Sequence, residues 1–220
     1  MTDFLTAPNE CRPPLQEAME GGWDLEVRLA DLARPLDFNA LFGRPAPIEI
    51  EVGCGSGLYL AHDAAARPGV NFLGIERDHS QVRRAKDKWR RRGFLNTRIV
   101  RGDAHYILEE FIAPASVDAY IILYSDPWPK KRHHKRRFFQ PRLLPILERT
   151  LKPGGLLTVK TDVTSYYDVM MELFAEAPFL ELLYDRRLDL EPDPEDIPTN
   201  FQSKAIEKGH PLHSMRWRRR

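Results

Sequence analysis

Cysteine is scarce: Cys11 and Cys54 are the only two in 220 residues. Neither their number nor their spacing can build a disulfide framework or a zinc site, so a reducing, intracellular setting is expected and no metal is called for. No apolar stretch approaches the ~20 residues of a membrane span. The N-terminus carries Asp3 and Glu10 but no basic segment leading into an apolar core, which argues against a secretory leader. An excess of charge of one sign is missing too. Lys and Arg number 33 against 32 Asp and Glu, a net charge of +1, so no global field marks a partner. No repeat is visible. A cytoplasmic protein with no membrane contact is the expectation, and 42% hydrophobic residues suffice for one core of ordinary domain size.

What is present is local. Cationic side chains gather in Lys130–Arg137, Arg83–Arg92 and Arg216–Arg220. Residues 1–37, with Pro8, Pro13, Pro14 and Gly21-Gly22, read as a partly flexible arm, with Asp24–Leu41 only loosely assigned. Residues 38–220 read as a single domain. Strands are expected at Ile48–Val52, Asn71–Ile75, Thr97–Val100, Val117–Tyr124, Leu156–Lys160, Phe179–Tyr184 and Leu212–Trp217. Helices are expected between them at Leu58–Ala66, Ser80–Arg92, His105–Phe111, Pro141–Leu151 and Ser165–Ala175, with Pro145 an awkward interior residue. Alternating strands and helices of about ten residues imply right-handed crossovers and a largely parallel sheet. Ligands of such sheets sit outside the carboxyl ends of the strands. Glu51, Glu76, Asp103, Asp126 and Asp162 all fall at or near those ends. Buried acids without partners are costly, so a ligand rich in donors is the economical explanation.

Gly53, Gly55 and Gly57 form a glycine turn after the first of these strands. The dinucleotide fingerprint wants a third glycine where Leu58 stands, which disfavours a nicotinamide dehydrogenase. Glu51 beside the turn is a poor neighbour for a pyrophosphate. Glu76 follows at the spacing expected of an acid that binds ribose hydroxyls. The set suits S-adenosylmethionine, with Glu51 facing the amino group, Glu76 the ribose and Asp103 the adenine amine. The competing reading is that Glu76 and Asp103 only cap helices. Asp126 is held between a strand and the stiff Pro127-Trp128-Pro129, and Lys130 to Arg137 follow at once. A fixed acid beside a dense cationic loop suits work on a polyanion. The bland alternative for that run is a solvated face.

The segments Glu51-Val52-Gly53-Cys54-Gly55-Ser56-Gly57, Gly74-Ile75-Glu76, Gly102-Asp103-Ala104, Asp126-Pro127-Trp128-Pro129-Lys130-Lys131-Arg132-His133-His134-Lys135-Arg136-Arg137, Thr161-Asp162 and Thr199-Asn200-Phe201-Gln202 occur in that order. Together they closely resemble the bacterial tRNA (guanine-N7-)-methyltransferase family, from about Phe38 to the C-terminus. The resemblance implies a Rossmann-like class I methyltransferase fold, an α/β domain with a seven-stranded, mostly parallel sheet and helices on both faces. It implies methyl transfer from S-adenosylmethionine to N7 of a guanine in the tRNA variable loop. It places the cofactor on Glu51, Gly53, Gly55, Glu76, Asp103, Ala104 and Asp126, with Asp126 as the catalytic acid. It places tRNA on Lys130, Asp162, Thr199, Asn200, Phe201 and Gln202, and implies no obligate protein partner; monomer and homodimer both stay open. The chain departs from the family at Tyr124-Ser125, where Phe-Pro is usual, and at Gln202, where Glu is usual. Methylation of another RNA or a small molecule, and a non-catalytic RNA-binding module, remain the alternatives.

Overall fold

The computed structural model describes residues 25–190 and 200–220. An eight-stranded sheet runs in the order β1-β4-β3-β2-β5-β6-β8-β7. The strands are β1 (Glu26–Val27), β2 (Ile48–Val52), β3 (Asn71–Glu76), β4 (Thr97–Arg101), β5 (Val117–Leu123), β6 (Leu151–Thr161), β7 (Leu180–Arg187) and β8 (His213–Arg219). All pairings from β1 to β6 are parallel, and β8 lies antiparallel to both β6 and β7. The helices are α1 (Phe38–Phe42), α2 (Leu58–Ala66), α3 (His79–Arg91), α4 (Ala104–Glu110), α5 (Leu143–Thr150), α6 (Thr164–Ala175) and α7 (Asn200–Glu207).

The β5 run is apolar from Ala119 to Leu123, beyond the half-buried Asp118, because both of its faces are covered there. Tyr120 and Ile122 pack into the cluster formed with α4, α5 and α6, while Ala119, Ile121 and Leu123 turn to the other face. The same alternation splits β3. Leu73 and Ile75 join the first cluster, and Phe72 packs with Leu60 of α2 and Val82 and Trp89 of α3. Strand order reverses between β2 and β5, which opens a crevice at their carboxyl ends.

Three elements differ from expectation for identifiable reasons. The sheet has eight strands because Glu26–Val27 pairs with Ile99–Val100, and the Leu25 carbonyl accepts from Ile99 N at 2.8 Å. Part of the stretch ahead of Phe38 is thus packed on the domain. Strand β6 begins at Leu151, through Pro153-Gly154-Gly155, and the ladder absorbs these residues in a register shift between Val117 and Ala119. Helix α5 begins at Leu143, so Pro145 falls in its first turn, where a missing N–H breaks no helical bond.

Candidate active site

Five adjacent strands carry the acids expected at their tips: Asp103 after β4, Glu76 on β3, Glu51 on β2, Asp126 after β5 and Asp162 after β6. The glycine turn between β2 and α2 is braced from α3. Trp89 Nε1 donates to Gly57 O at 2.9 Å, and Lys88 Nζ donates to Ser56 O at 2.8 Å. Gly57 sits at φ 64°, and a Cβ there would stand 2.5 Å from the Trp89 ring. Only glycine satisfies both the backbone and the close approach. The sequence shows Lys88 and Trp89 as part of a basic helix; their grip on the turn depends on how α3 packs. Gly55 N donates to Glu76 Oε2 at 2.8 Å, and Arg77 N and Asp78 N donate to Glu76 Oε1 at 2.7 and 2.8 Å. Glu76 is thus fixed over the turn by backbone amides. The cap of α3 is Asp78, which accepts from Ser80 N and Gln81 N.

Glu51 is the unusual member. It is 4% exposed, and its Oε2 has no hydrogen-bond partner among the described residues. Burial, then the neighbouring carboxylates of Asp63 and Glu76, push its pKa well above the ordinary carboxylate range. The Lys88 amine nearby is itself lowered, by burial and by Arg92 and Arg91. This crowding of carboxyl groups disfavours a pyrophosphate, which would add more negative charge, and fits a ligand with a cationic end, which is what the amino group of S-adenosylmethionine provides. Asp103 is the N-cap of α4 and accepts from Tyr106 N at 3.1 Å. It therefore caps a helix, as the competing reading held, while Ala104 opens the helix beside it.

Asp126 lies exposed in the turn after β5. Tyr124 and Trp128 flank it at φ 52° and 42°, conformations uncommon outside glycine. The turn is tied down by Arg137, whose Nε donates to Pro127 O at 2.7 Å and whose guanidinium lies 5.1 Å from the Tyr166 ring centroid. Lys131–Arg136 winds into a 3₁₀ helix with Lys130 at its N-cap. Arg136 covers the Trp128 ring at 5.0 Å and His133 meets it edge-on, so Trp128 is a half-buried support for the basic turn. Lys130, Lys131, Arg132 and Lys135 are exposed, and among the described residues none from Lys130 to Arg137 pairs with a carboxylate. Asp162 Oδ2 lies 3.7 Å from His210 Nδ1. Gln202 is 6% exposed and its Oε1 accepts from the Tyr124 hydroxyl at 3.3 Å. Asn200 and Phe201 open α7, and Thr199 lies outside the described residues. No described group of His, Cys, Asp and Glu is arranged to hold a metal ion, and no described helix is long and apolar enough to cross a membrane.

A doubly wound sheet with one antiparallel strand beside its last parallel one, and a carboxylate-crowded glycine turn at the switch point, defines a class I S-adenosylmethionine-dependent methyltransferase. The fold matches a geranyl diphosphate methyltransferase solved with geranyl diphosphate and sinefungin, at a TM-score of 0.57 and 15% identity over 80% of this chain and 73% of that one. A putative-methyltransferase family model matches residues 45–215. The tRNA (guanine-N(7)-)-methyltransferase of Burkholderia cenocepacia (strain HI2424) is 40% identical over 84% of this chain and 71% of its own. The enzyme of the same name from Nocardia farcinica (strain IFM 10152) is 37% identical over 97% of this chain and 83% of its own. The chain belongs to the tRNA (guanine-N7-)-methyltransferase family.

Proposed function

We infer that this protein transfers a methyl group from S-adenosylmethionine to N7 of a guanine in the variable loop of tRNA. The observation that carries the reading is the turn after β5, where Asp126 is followed at once by exposed cations that no described carboxylate neutralises. A small-molecule methyltransferase has no use for that arrangement. The enzyme acts in the cytoplasm, as a monomer or homodimer without an obligate protein partner.

Guanine N7 carries an exposed lone pair and no proton, so the attack needs no general base. S-adenosylmethionine supplies the electrophilic methyl group. Glu51 takes the ligand's cationic end, Glu76 accepts from hydroxyls, and Asp103, beyond its cap bond, accepts from the adenine amine. Gly53, Gly55 and Ala104 let the backbone come close. Asp126 and Asp162 accept from guanine N1–H and its exocyclic amine, which adenine does not offer in that arrangement. They also stabilise the positive charge that grows on the ring. The chief task of these side chains is alignment. A stacked guanine must first be turned out into the crevice. Lys130 and the 3₁₀ turn hold phosphates, and the tRNA contacts that the family resemblance assigns to Thr199, Asn200, Phe201 and Gln202 belong to the same reading.

Unmodified tRNA incubated with the protein and labelled S-adenosylmethionine should acquire label and undergo strand scission specific to 7-methylguanosine. Label without such scission would point to a different acceptor atom, and no label on tRNA would overturn the reading. Replacing Lys131, Arg132, Lys135 and Arg136 together by Ala should weaken tRNA binding and flatten its dependence on salt, by about 0.9 or less in the logarithmic slope per lost phosphate contact. Cofactor affinity should hardly move. An unchanged slope in filter-binding titrations would make the run a solvated face.

A further inference from the structure

Two residues from distant parts of the chain meet behind the turn that carries Asp126. Tyr124 and Gln202 are 78 residues apart in the sequence and share a hydrogen bond from the Tyr124 hydroxyl to Gln202 Oε1 at 3.3 Å. Tyr124 is the hinge at which the chain leaves β5 for Asp126. Its φ of 52° is unfavourable for a residue with a side chain, so its surroundings must hold it there. Part of the grip is backbone: Tyr124 N donates to Lys160 O at 2.8 Å. The ring also packs against Leu188 after β7, Ala205 of α7 and Leu212 before β8. Gln202 and Ala205 are three residues apart on α7 and so share a face, and that face rests on Tyr124.

We propose that Tyr124 is a positioning residue for methyl transfer: through its bond to Gln202 it sets the docking of α7 against the turn that carries Asp126. This rests on the function proposed above. Apolar packing alone would hold the helix near the ring but would not fix its rotation or its height along the strand end. A directional bond to a buried carboxamide does both. Burial, and then the Asp162 carboxylate, push the Tyr124 pKa upward, so the phenol keeps its proton. Gln202 suits this place because it accepts the hydroxyl without adding a second carboxylate near Asp162. The tyrosine and the glutamine thus work as a matched pair joining the catalytic turn to the segment proposed to contact tRNA.

The test is a cycle of Tyr124→Phe, Gln202→Leu and the double variant, read as KM and kcat for tRNA, cofactor affinity and melting temperature. Tyr124→Phe keeps the ring and removes only the hydroxyl. It should lower kcat/KM for tRNA about three- to tenfold with cofactor affinity within about twofold of wild type. The double variant should be no worse than the worse single one. Gln202→Glu keeps an acceptor and should lose less than Gln202→Leu, but combined with Tyr124→Phe it should fall below both, because a buried carboxylate would then lose the hydroxyl that donates to it. Additive losses, or losses that follow melting temperature and cofactor affinity alike, would reduce Tyr124 to a packing residue and overturn the proposal. Wild-type protein that makes no 7-methylguanosine would overturn the functional reading and this inference with it. Active wild type matched by Tyr124→Phe in both constants overturns the inference alone.

Discussion

Asp126→Ala is expected to lower the single-turnover methylation rate by roughly 10²- to 10³-fold, the scale on which removing one transition-state stabiliser is felt. Binding of tRNA should change far less, since the exposed cations of the basic turn are untouched. The effect should be large because Asp126 is aimed by its backbone. Positive φ at Tyr124 and Trp128, Pro127 and Pro129 in the turn that follows, and the Arg137 bond to Pro127 O leave it little freedom. Alignment supplied in advance is what this reaction demands. Asp126→Asn keeps the shape and one acceptor oxygen but loses the charge, so it should retain more activity than Ala. The pH profile separates roles. Guanine N7 has no proton to lose, so the wild-type rate should stay flat between about pH 6 and 9. A rate climbing about tenfold per pH unit, with the climb abolished in Asp126→Asn, would show that Asp126 takes a proton and would sink the alignment mechanism.

Glu51→Gln should move two quantities in opposite directions. Affinity for S-adenosylmethionine should fall about tenfold to 100-fold, the range for one hydrogen bond to a charged group. The ligand-free protein should become more stable. Glu51 is buried beside Asp63 and Glu76, and its carboxyl in the folded state holds a proton more tightly than in the unfolded chain. The folded form therefore binds more protons, and wild-type stability falls as pH rises from the ordinary carboxylate range through the raised folded value. Gln has no proton to lose and removes that decline. Near pH 7, scanning calorimetry should show the ligand-free Glu51→Gln variant melting higher than wild type, on the order of 4 °C, with little further rise on adding the cofactor. A variant that melts lower, or that keeps wild-type cofactor affinity, would remove Glu51 from the role of cation acceptor.

The framework around the candidate site is legible in the sequence. Strand β2 and helix α2 have the bounds that hydrophobic spacing and the glycine turn predict. The acids at the strand tips can be placed because parallel strands with short connections bring their carboxyl ends to one edge. Other features escape local reading. Glycine and proline in Lys152–Gly155 look like a break, yet the neighbouring strand absorbs them as a bulge. Glu26–Val27 is too short to show a period, and only the free edge of β4 makes it a strand. Pro145 looks misplaced until the start of α5 is known.

The chain's own order of residues determined the alternation of strands and helices, the glycine turn, the acids at the strand ends and the cationic run beside Asp126. Each of these follows from neighbours within a few positions, where backbone preference and side-chain period act. Tertiary structure decided which charges matter and what they touch. It buried the Glu51 carboxylate with no partner for its Oε2 among the described residues and turned Arg137 inward to hold Pro127. It also set Lys88 and Trp89 against the glycine turn and brought Tyr124 to Gln202. Burial, electrostatic environment and long-range hydrogen bonds depend on packing between elements far apart in the chain, and no local pattern encodes them.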